Sequence, residues 1–454
     1  HPTARAASRI SGALHTHPHL TVGSVPGTDP TTNAGPAETD FGRAVVIGEH
    51  LVMRTDAIDV RQAVPGDLDA LIDRDLQAFS GTFTADERAT WRELLDLDRF
   101  RVAYDGVDLV GVAGSHELEL TLPGGAIVPM GGTTWVSVAP THRRRGIVRR
   151  LMDEVHIDID DRGEPIAGLM ASEGSIYERF GYGVATRRRV IEMDTRDAKV
   201  VDPPDDALRM VAPADHVDDL WDRFERHRAG RPGEVSQSKA WIAMRIAQLK
   251  QPFCALHDDG YALWTVDAAW GEAEPAHTIR VFDLVASTPE AYASLWNLVL
   301  SVDLVRKVVA RSPVALDDRL PYLLSDQRAV RTTAVHDFLW LRPSRVGELL
   351  AARRYRIDDE LVVEVVEFVD GDGEATSDVE RWRVSGGPDG AVCDATDAEP
   401  DLTMSRAAMG SLLLGGISTT ELAAGGRLRS SGCDLGRADA FFGWSPTPHC
   451  TVSF

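Results

Sequence analysis

One segment constrains the fold of this chain more than any other, because it joins a strand, an arginine-rich turn and a helix in direct succession. Residues 135–138 predict the end of a strand, and Pro140 cannot extend it because proline lacks the amide hydrogen that a ladder needs. Residues 143–145 are all arginine, and Gly146 follows them. From there to Asp161 the apolar residues recur on one face, which predicts a helix. This order indicates a unit of mixed α and β structure.

The turn has the properties of a phosphate-binding site. The first amide N–H groups of a helix have no partner within the helix and lie at the positive end of its dipole. Gly146 lets a phosphate approach the backbone closely, and the three arginines before it add positive charge. The strand edge at Val136 and Val138 suits an extended amide chain such as a pantetheine arm. A solvated basic turn without a ligand is the alternative, but the order of strand, turn, glycine and helix favours the phosphate site.

Composition argues against several classes of partner. The chain has 454 residues, with 48 Lys and Arg against 70 Asp and Glu and a formal net charge of −22. Such a surface repels nucleic acid and anionic membranes, so neither is expected as a partner. We find no apolar run long enough for a membrane span and no apolar core of a signal peptide near the start. These features predict a cytoplasmic protein, with secretion as an open alternative.

The cysteines give no sign of a disulfide framework or a zinc site. Four are present, and they are scattered along the chain without a CxxC pair. Cys254, Cys393, Cys433 and Cys450 are therefore expected to be ordinary thiols. No metal cofactor is expected.

The length predicts roughly three domains. Residues 1–54 are poor in aromatic residues and rich in Ala, Gly, Thr, Pro and His, which predicts a disordered tail. An acidic, proline-containing linker at 202–206 separates a first unit, 55–202, from a second unit, 203–342. A third unit follows at 343–454.

Hydrophobic periodicity and turn residues predict the main elements of each unit. In the first unit they predict strands at 58–61, 101–104, 107–112, 118–122, 133–138 and 166–171, and helices at 67–79, 85–95, 146–161 and 176–180. In the second and third units they predict strands at 261–266, 280–285, 361–369 and 380–384, and helices at 289–300 and 404–414.

Two stretches together resemble a known family. The turn at 143–148, Arg-Arg-Arg-Gly-Ile-Val, resembles the Gln/Arg-x-x-Gly-x-Gly/Ala turn of GNAT acetyltransferases at its first and fourth positions. It departs from that pattern at the sixth position, where Val148 stands. Residues 138–146 and 171–183 are similar to the Eis (enhanced intracellular survival) group of actinobacterial acetyltransferases. The resemblance runs from about residue 57 to Phe454.

The resemblance implies a mixed α/β (α+β) fold with two tandem GNAT-like units, a C-terminal unit like sterol carrier proteins, and a homo-hexameric assembly. The second unit is expected to be a degenerate copy. No Arg-x-x-Gly turn stands between its predicted strand, which ends at Val285, and the helix that Pro289 opens. We therefore expect a single cofactor site, in the first unit.

The resemblance also implies an activity: acetyl-CoA-dependent N-acetylation of primary amines on small cationic substrates, including aminoglycosides, and hence antibiotic resistance. It implies that Tyr177 is the general acid and that the terminal carboxylate of Phe454 is the base. Phe79 and Trp91 match aromatic positions that line the substrate pocket together with Phe454. The residues expected to contact acetyl-CoA are Val136, Ser137, Val138, Arg143, Arg144, Arg145, Gly146, Ile147 and Ser172.

Two departures and two alternative functions stay open at this point. Gly81 and Ser453 stand where the family can carry acidic residues, so the amine pocket is expected to have less negative charge and a different substrate range. The alternative functions are a protein-lysine acetyltransferase with the same chemistry and a non-catalytic protein that binds lipid through the third unit.

Overall fold

The computed structural model describes residues 58–272, 274–311, 314–368 and 375–454, whose strands form three mixed sheets. The predicted tail at 1–54 lies outside these residues. Within the described ranges, none of the helices combines the length and the apolarity needed to cross a bilayer.

The first sheet has seven strands and carries the predicted turn. In spatial order its strands are β1 (Asp59–Gln62), β2 (Phe100–Asp105), β3 (Asp108–Thr121), β4 (Ile127–Val138), β5 (Ile166–Met170), β14 (Leu339–Pro343) and β6 (Gly183–Val184). Its helices are α1 (Leu68–Phe79), α2 (Ala85–Leu94) and α3 (Ile147–Asp161). Helix α3 buries Leu151, Met152, Val155 and Ile159, the apolar face that the periodicity predicted.

Strands β4 and β5 run parallel, but they pair over only three residues. Met130 to Gly132 pair with Ile166 to Gly168, whereas the opposite edge of β5 pairs with β14 over all five residues, Ile166 to Met170. The last part of β4 therefore pairs with β3 alone among the described strands. A bulge at Trp135, whose φ is 55°, bends β4 further at this place. The result is a wedge-shaped opening between β4 and β5, which we call the β4–β5 cleft.

The second sheet also has seven strands. In spatial order they are β13 (Arg331–Asp337), β7 (Arg187–Asp194), β12 (Val305–Ala310), β11 (His277–Ala286), β10 (Gly260–Asp267), β9 (Phe253–His257) and β8 (Arg209–Val211). Its helices are α4 (Val217–Ala229), α5 (Lys239–Ala247), α6 (Pro289–Leu300) and α7 (Leu320–Leu323). The second sheet repeats a motif of the first sheet, a strand followed by a helix and a parallel strand. The motif is β11, α6, β12 in the second sheet and β4, α3, β5 in the first.

The first two sheets exchange strands. Strand β7 precedes the predicted boundary at 202, yet it pairs with β12 and β13 in the second sheet. Strand β14 lies at the end of the predicted second unit, yet it pairs with β5 and β6 in the first sheet. The units predicted along the chain therefore do not coincide with the sheets. The predicted domain boundaries stay predictions.

The third sheet has the order β17 (Gly390–Ala395), β16 (Ala375–Gly387), β15 (Asp359–Phe368), β18 (Leu402–Ser405), β19 (Leu428–Ser430). The helices of this part are α8 (Val346–Ala352), α9 (Arg406–Leu412), α10 (Thr419–Ala424) and α11 (Leu435–Phe442). Large side chains fill its core: the ring of Tyr355 stacks on Phe441 at 4.1 Å between centroids. The guanidinium of Arg353, fully buried, lies 4.5 Å from the centroid of the Tyr355 ring.

Candidate functional site

The arginine-rich turn enters helix α3 in a conformation that only a few residue types adopt readily. Arg144 and Gly146 have φ angles of 63° and 76°, in the left-handed region that favours glycine. Gly146 is the N-cap of α3, and no side chain caps the first amide groups of the helix. A Cβ atom added at Gly146 would meet nothing within 4 Å. The N-terminal amides of α3 therefore face open space, as a diphosphate site requires.

The arginines of the turn differ in their surroundings. Arg145 donates to Asp105 at the end of β2, over 3.2 Å, and the ring of His142 contacts the same carboxylate at 3.0 Å. These two contacts hold the pKa of Asp105 below its usual value. Arg143 and Arg144 are exposed, and in the part of the chain that the structure describes they form no ion pair. Two of the three predicted cations are thus available to a ligand.

Tyr177 belongs to the buried cluster that surrounds the start of α3. It follows β5 and is 6 % exposed, in one buried cluster with Val138 and Ile147. Burial raises the pKa of its phenol above the usual value, while a hydrogen bond with the exposed Ser172 opposes this rise. The structure therefore brings together the strand end, the helix start and the tyrosine that the sequence predicted.

A second tyrosine supports Tyr177 from behind. The ring of Tyr182 meets that of Tyr177 edge to face, with the centroids 6.2 Å apart. Its hydroxyl lies 2.8 Å from the hydroxyl of Thr133 and 3.0 Å from Nε2 of His156, and all three side chains are buried. Burial lowers the pKa of His156 well below its usual value, so the imidazole is neutral at pH 7. This network fixes the ring against which Tyr177 packs.

A cavity of about 570 Å³ lies against β3 of the first sheet. Its lining residues come from 94–99, from β3, from α4, from 236–241 at the start of α5, and from the last residues of the chain. The ring of Phe454 reaches its inner end, because a Cβ atom on Gly132 would lie 3.0 Å from that ring. We call this space the acceptor cavity. Its aromatic and charged lining residues include His116, Trp221, Trp241, Phe454, Asp96, Glu117, Glu119, Glu225, Arg99, Arg228 and Lys239.

The two aromatic residues predicted to line the substrate pocket are not among those that line the acceptor cavity. Trp91 is buried behind its wall, with its ring 5.7 Å from that of Trp241 and 5.1 Å from that of Trp135. Phe79 is half-buried at the end of α1, and the neighbouring Gly81 lines a separate cavity of about 500 Å³. The part that Trp91 and Phe79 take in substrate binding stays a prediction.

Sequence reasoning missed the walls of the acceptor cavity that α4 and α5 supply. Trp241 lies on α5, and its ring meets the imidazole of His116 at 5.3 Å. Burial and the nearby Arg99 lower the pKa of His116 to about 4, so this ring is neutral at pH 7. No motif marks these residues, and only the amphipathic pattern of α5 could have indicated a helix there.

The corresponding turn of the second sheet is built differently. The hydroxyl of Thr288 accepts the amide of Ala291 at 3.2 Å, and Pro289 occupies the first turn of α6 without an amide hydrogen. These features remove donors that a diphosphate would need. They support the prediction that the second unit has no cofactor site.

Comparisons with known proteins agree with this architecture. Two models described as acetyltransferase (GNAT) domains match residues 59–185 and 233–346, and a sterol carrier protein domain model matches 346–451. The N-acetyltransferase Eis of Mycobacterium tuberculosis is 37% identical over 380 residues, which cover 79% of this chain and 90% of that protein. The chain belongs to the Eis family of GNAT N-acetyltransferases. The predicted family, fold class and enzyme class are therefore confirmed.

Other Eis-like proteins extend the comparison. An uncharacterized N-acetyltransferase of Streptomyces avermitilis is 36% identical over 387 residues, covering 82% of this chain and 93% of that protein. The crystal structure of Eis1 from Mycobacterium abscessus matches with a TM-score of 0.76 and 33% identity, covering 87% of this chain and 100% of that one. A GCN5-related N-acetyltransferase from Anabaena variabilis, at 20% identity and a TM-score of 0.75, shares the fold.

Membership of the GNAT family implies acetyl-CoA as the co-substrate. The open helix start, the exposed arginines and the β4–β5 cleft fit a diphosphate with an extended arm. Among the described residues, no three His, Cys, Asp or Glu side chains are grouped so that they could bind a metal ion.

Proposed function

We propose that the protein transfers the acetyl group of acetyl-CoA to a primary amine of a small cationic substrate, aminoglycosides among them. One observation carries this proposal. The start of α3, the end of β4 and Tyr177 share one buried cluster, and the ring of Phe454 connects the acceptor cavity to Gly132, where β4 stops pairing with β5. A co-substrate held at the start of α3 and an amine held in the acceptor cavity would meet at the β4–β5 cleft.

The turn and β4 hold the co-substrate. The amides at the start of α3 and the side chains of Arg143 and Arg144 bind the diphosphate, while the free edge of β4 beyond Gly132 binds the pantetheine amides. Bound there, acetyl-CoA supplies an activated acetyl thioester. The protein has to orient this thioester, to accept a proton from the amine and to supply a proton to the departing sulfur.

Tyr177 stabilises the departing sulfur. A free tyrosine has a pKa of about 10 and a thiol one of about 8.5, and burial raises that of Tyr177 further. Complete transfer of the phenolic proton to a thiolate is therefore uphill. Tyr177 donates a strong hydrogen bond to the sulfur and relays a proton, with Ser172 holding the phenol in place.

Phe454 attracts the amine and helps to remove its proton. A terminal carboxylate has a pKa of about 3.5, too low to deprotonate an ammonium of about 10 directly. A carboxylate on Phe454 attracts the cationic amine into the acceptor cavity and passes its proton to water. The ring of Phe454, packed over Gly132, fixes where that carboxylate stands.

The lining of the acceptor cavity suits a cation. Trp241 adds an aromatic ring, and Asp96 and Glu117 add carboxylates. The ring of Trp221 already has the ammonium of Lys239 5.0 Å from its centroid. Glu119 is partly neutralised by Arg228, whose Nη2 lies 2.9 Å from its Oε2. Asp96 and Glu117 therefore give the acceptor cavity negative charge of its own.

The packing of the third domain favours a structural role over lipid binding. Its core contains Arg353, whose Nη2 donates to the carbonyl of Phe442 at 2.6 Å, together with the stacked rings of Tyr355 and Phe441. A core built around a buried guanidinium that needs backbone carbonyls as partners differs from the purely apolar cavity that an acyl chain requires. The homo-hexameric assembly and the cytoplasmic location are proposed from the family resemblance.

A thiol-release assay tests the proposed function. The protein is mixed with acetyl-CoA and a panel of aminoglycosides, and mass spectrometry counts the acetyl groups on each product. We expect thiol release that depends on both substrates. Acetylation confined to lysine-containing peptides would favour the protein acetyltransferase instead. Bound lipid without thiol release would overturn the proposal.

The raised pKa of Tyr177 gives a prediction for the pH dependence of catalysis. The acid that serves the sulfur must be protonated, and burial keeps it protonated to a higher pH than a free phenol. We expect kcat to show no falling limb below about pH 10, the pKa of a free tyrosine. Steady-state rates between pH 6 and pH 10 check this. A falling limb at lower pH that disappears in Tyr177→Phe would contradict it.

A further inference from the structure

The last residues of the chain, 444–454, form an extended segment that we call the C-terminal strap. Two of its backbone amides donate hydrogen bonds to residues of the second unit, 203–342. Thr447 donates to Oδ2 of Asp317 at 2.7 Å, and His449 donates to the carbonyl of Pro232 at 2.9 Å. These two donors are separated by one residue. In an extended segment such alternate residues face the same side, so the residues between them face the other side.

The third anchor is a carboxylate. Glu234 is fully buried, and its Oε1 and Oε2 accept the amide of Thr451 at 3.1 and 3.0 Å. Its Oε2 also accepts the hydroxyl of Thr451 at 3.2 Å. Beyond this point the side chains of Val452 and Phe454 line the acceptor cavity. Among the described contacts, Glu234 thus accepts the strap amide nearest to Phe454.

Glu234 also connects the strap to the first unit, 55–202. Its carbonyl accepts the amide of Thr121 at the end of β3, over 3.0 Å. Strand β3 also carries His116 in the wall of the acceptor cavity. One residue of the loop between α4 and α5 therefore fixes the strap relative to the strand that forms the opposite wall.

We propose that Glu234 is a positioning residue that holds Phe454 at the amine end of the acceptor cavity. The inference rests on the proposed function, because Glu234 acts through Phe454. Without its carboxylate, the last fixed amide of the strap is that of His449, five residues before Phe454 instead of three. A small displacement of a catalytic group costs much more rate than stability.

The variant Glu234→Gln tests this role with little change in shape. An amide keeps one acceptor but places an N–H donor against the amide of Thr451, so one of the bonds is lost. We expect the KM for the amine to rise about tenfold or more, with the KM for acetyl-CoA unchanged. Burial raises the pKa of Glu234 to about 7, which shows that its ionised form is disfavoured there. Removing the disfavoured charge should therefore offset the lost hydrogen bond, so the unfolding midpoint should change little.

Asp317→Asn supplies the matched control. It weakens an anchor of the same strap, at Thr447, seven residues before Phe454, and it should leave the KM for the amine unchanged. Hydrogen exchange gives a second measurement: the amides of residues 451–454 should exchange faster in Glu234→Gln, with those of β4 unaffected.

A chain that lacks Phe454 separates the two proposals. If its loss impairs acetylation and Glu234→Gln changes neither the KM for the amine nor exchange in the strap, the positioning role is overturned alone. If loss of Phe454 leaves the kinetics intact, the proposed role of Phe454 fails, and that of Glu234 fails with it. An equal rise of both KM values together with a lowered unfolding midpoint would mark Glu234 as merely structural and overturn the proposal.

Discussion

Replacing Tyr177 by phenylalanine should lower kcat by about 100-fold, the scale of a lost general acid, while the KM for acetyl-CoA stays within about a factor of two. The ring remains in its buried cluster with Val138 and Ile147, so the cleft keeps its shape. Only the hydroxyl is lost, and with it the hydrogen bond to Ser172 and the donor that serves the departing sulfur. Steady-state thiol release at saturating substrate measures the effect.

Tyr182→Phe is the matched control for removing a buried phenol next to the site. Its hydroxyl contacts Thr133 and His156 and does not face the co-substrate in our proposal. We expect a lowered unfolding midpoint and a change in kcat below about tenfold, because the hydroxyl leaves two buried polar groups without a partner. If the Tyr177 variant keeps the kcat of the parent chain, or if both variants lose activity equally, Tyr177 is not the acid.

Substituting Glu164 by glutamine should destabilise the protein by about 3 kcal/mol, the scale for breaking a buried ion pair. Nη2 of Arg99 lies 2.5 Å from Oε1 of Glu164, and Nη1 lies 3.2 Å from Oε2, with both side chains buried. Asp96, at 3.9 Å from Nε of Arg99, is exposed and cannot replace the lost charge. The guanidinium would remain in the wall of the acceptor cavity without its counter-charge. Urea unfolding compared with the parent chain measures the difference.

The double variant Arg99→Met, Glu164→Leu is the control for that prediction. It removes both charges and retains apolar volume, so it should cost less than the single substitution. A loss below about 1 kcal/mol in Glu164→Gln would mean that water already screens the pair, as at a protein surface. That result would contradict the buried ion pair described here.

Local features could be predicted from the sequence because neighbouring residues determine them. The helix predicted from Gly146 begins at Ile147, since its apolar period and the glycine before it are signals within a single segment. The strands predicted at 101–104 and 107–112 lie in the hairpin of β2 and β3, because the Asp105-Gly106 pair between them favours a tight turn, with Gly106 at a φ of 64°. The short predicted strands at 118–122 and 133–138 are parts of the longer β3 and β4, because pairing continues through their less apolar middle.

Features that depend on distant pairing could not be predicted in this way. The exchange of β7 and β14 between the first two sheets follows from which edges are free after folding, and no local pattern records it. The same holds for the acceptor cavity, where Trp241 and Phe454 come from different domains. The motif at 171–183 located Tyr177, but it contained no information about the residues that the amine would meet.

Calorimetric titration with coenzyme A tests the central claim most directly, when two glycines at opposite ends of α3 are compared. Gly146 and Gly163 have φ angles of 76° and 81°, and an added Cβ would meet nothing within 4 Å at either place. Aspartate tolerates this conformation better than most residues, and it adds the same charge at both positions. We predict that Gly146→Asp weakens coenzyme A binding at least about tenfold by repelling the diphosphate, whereas Gly163→Asp binds as the parent chain does. Equal affinities in both variants would place the diphosphate elsewhere and contradict the account.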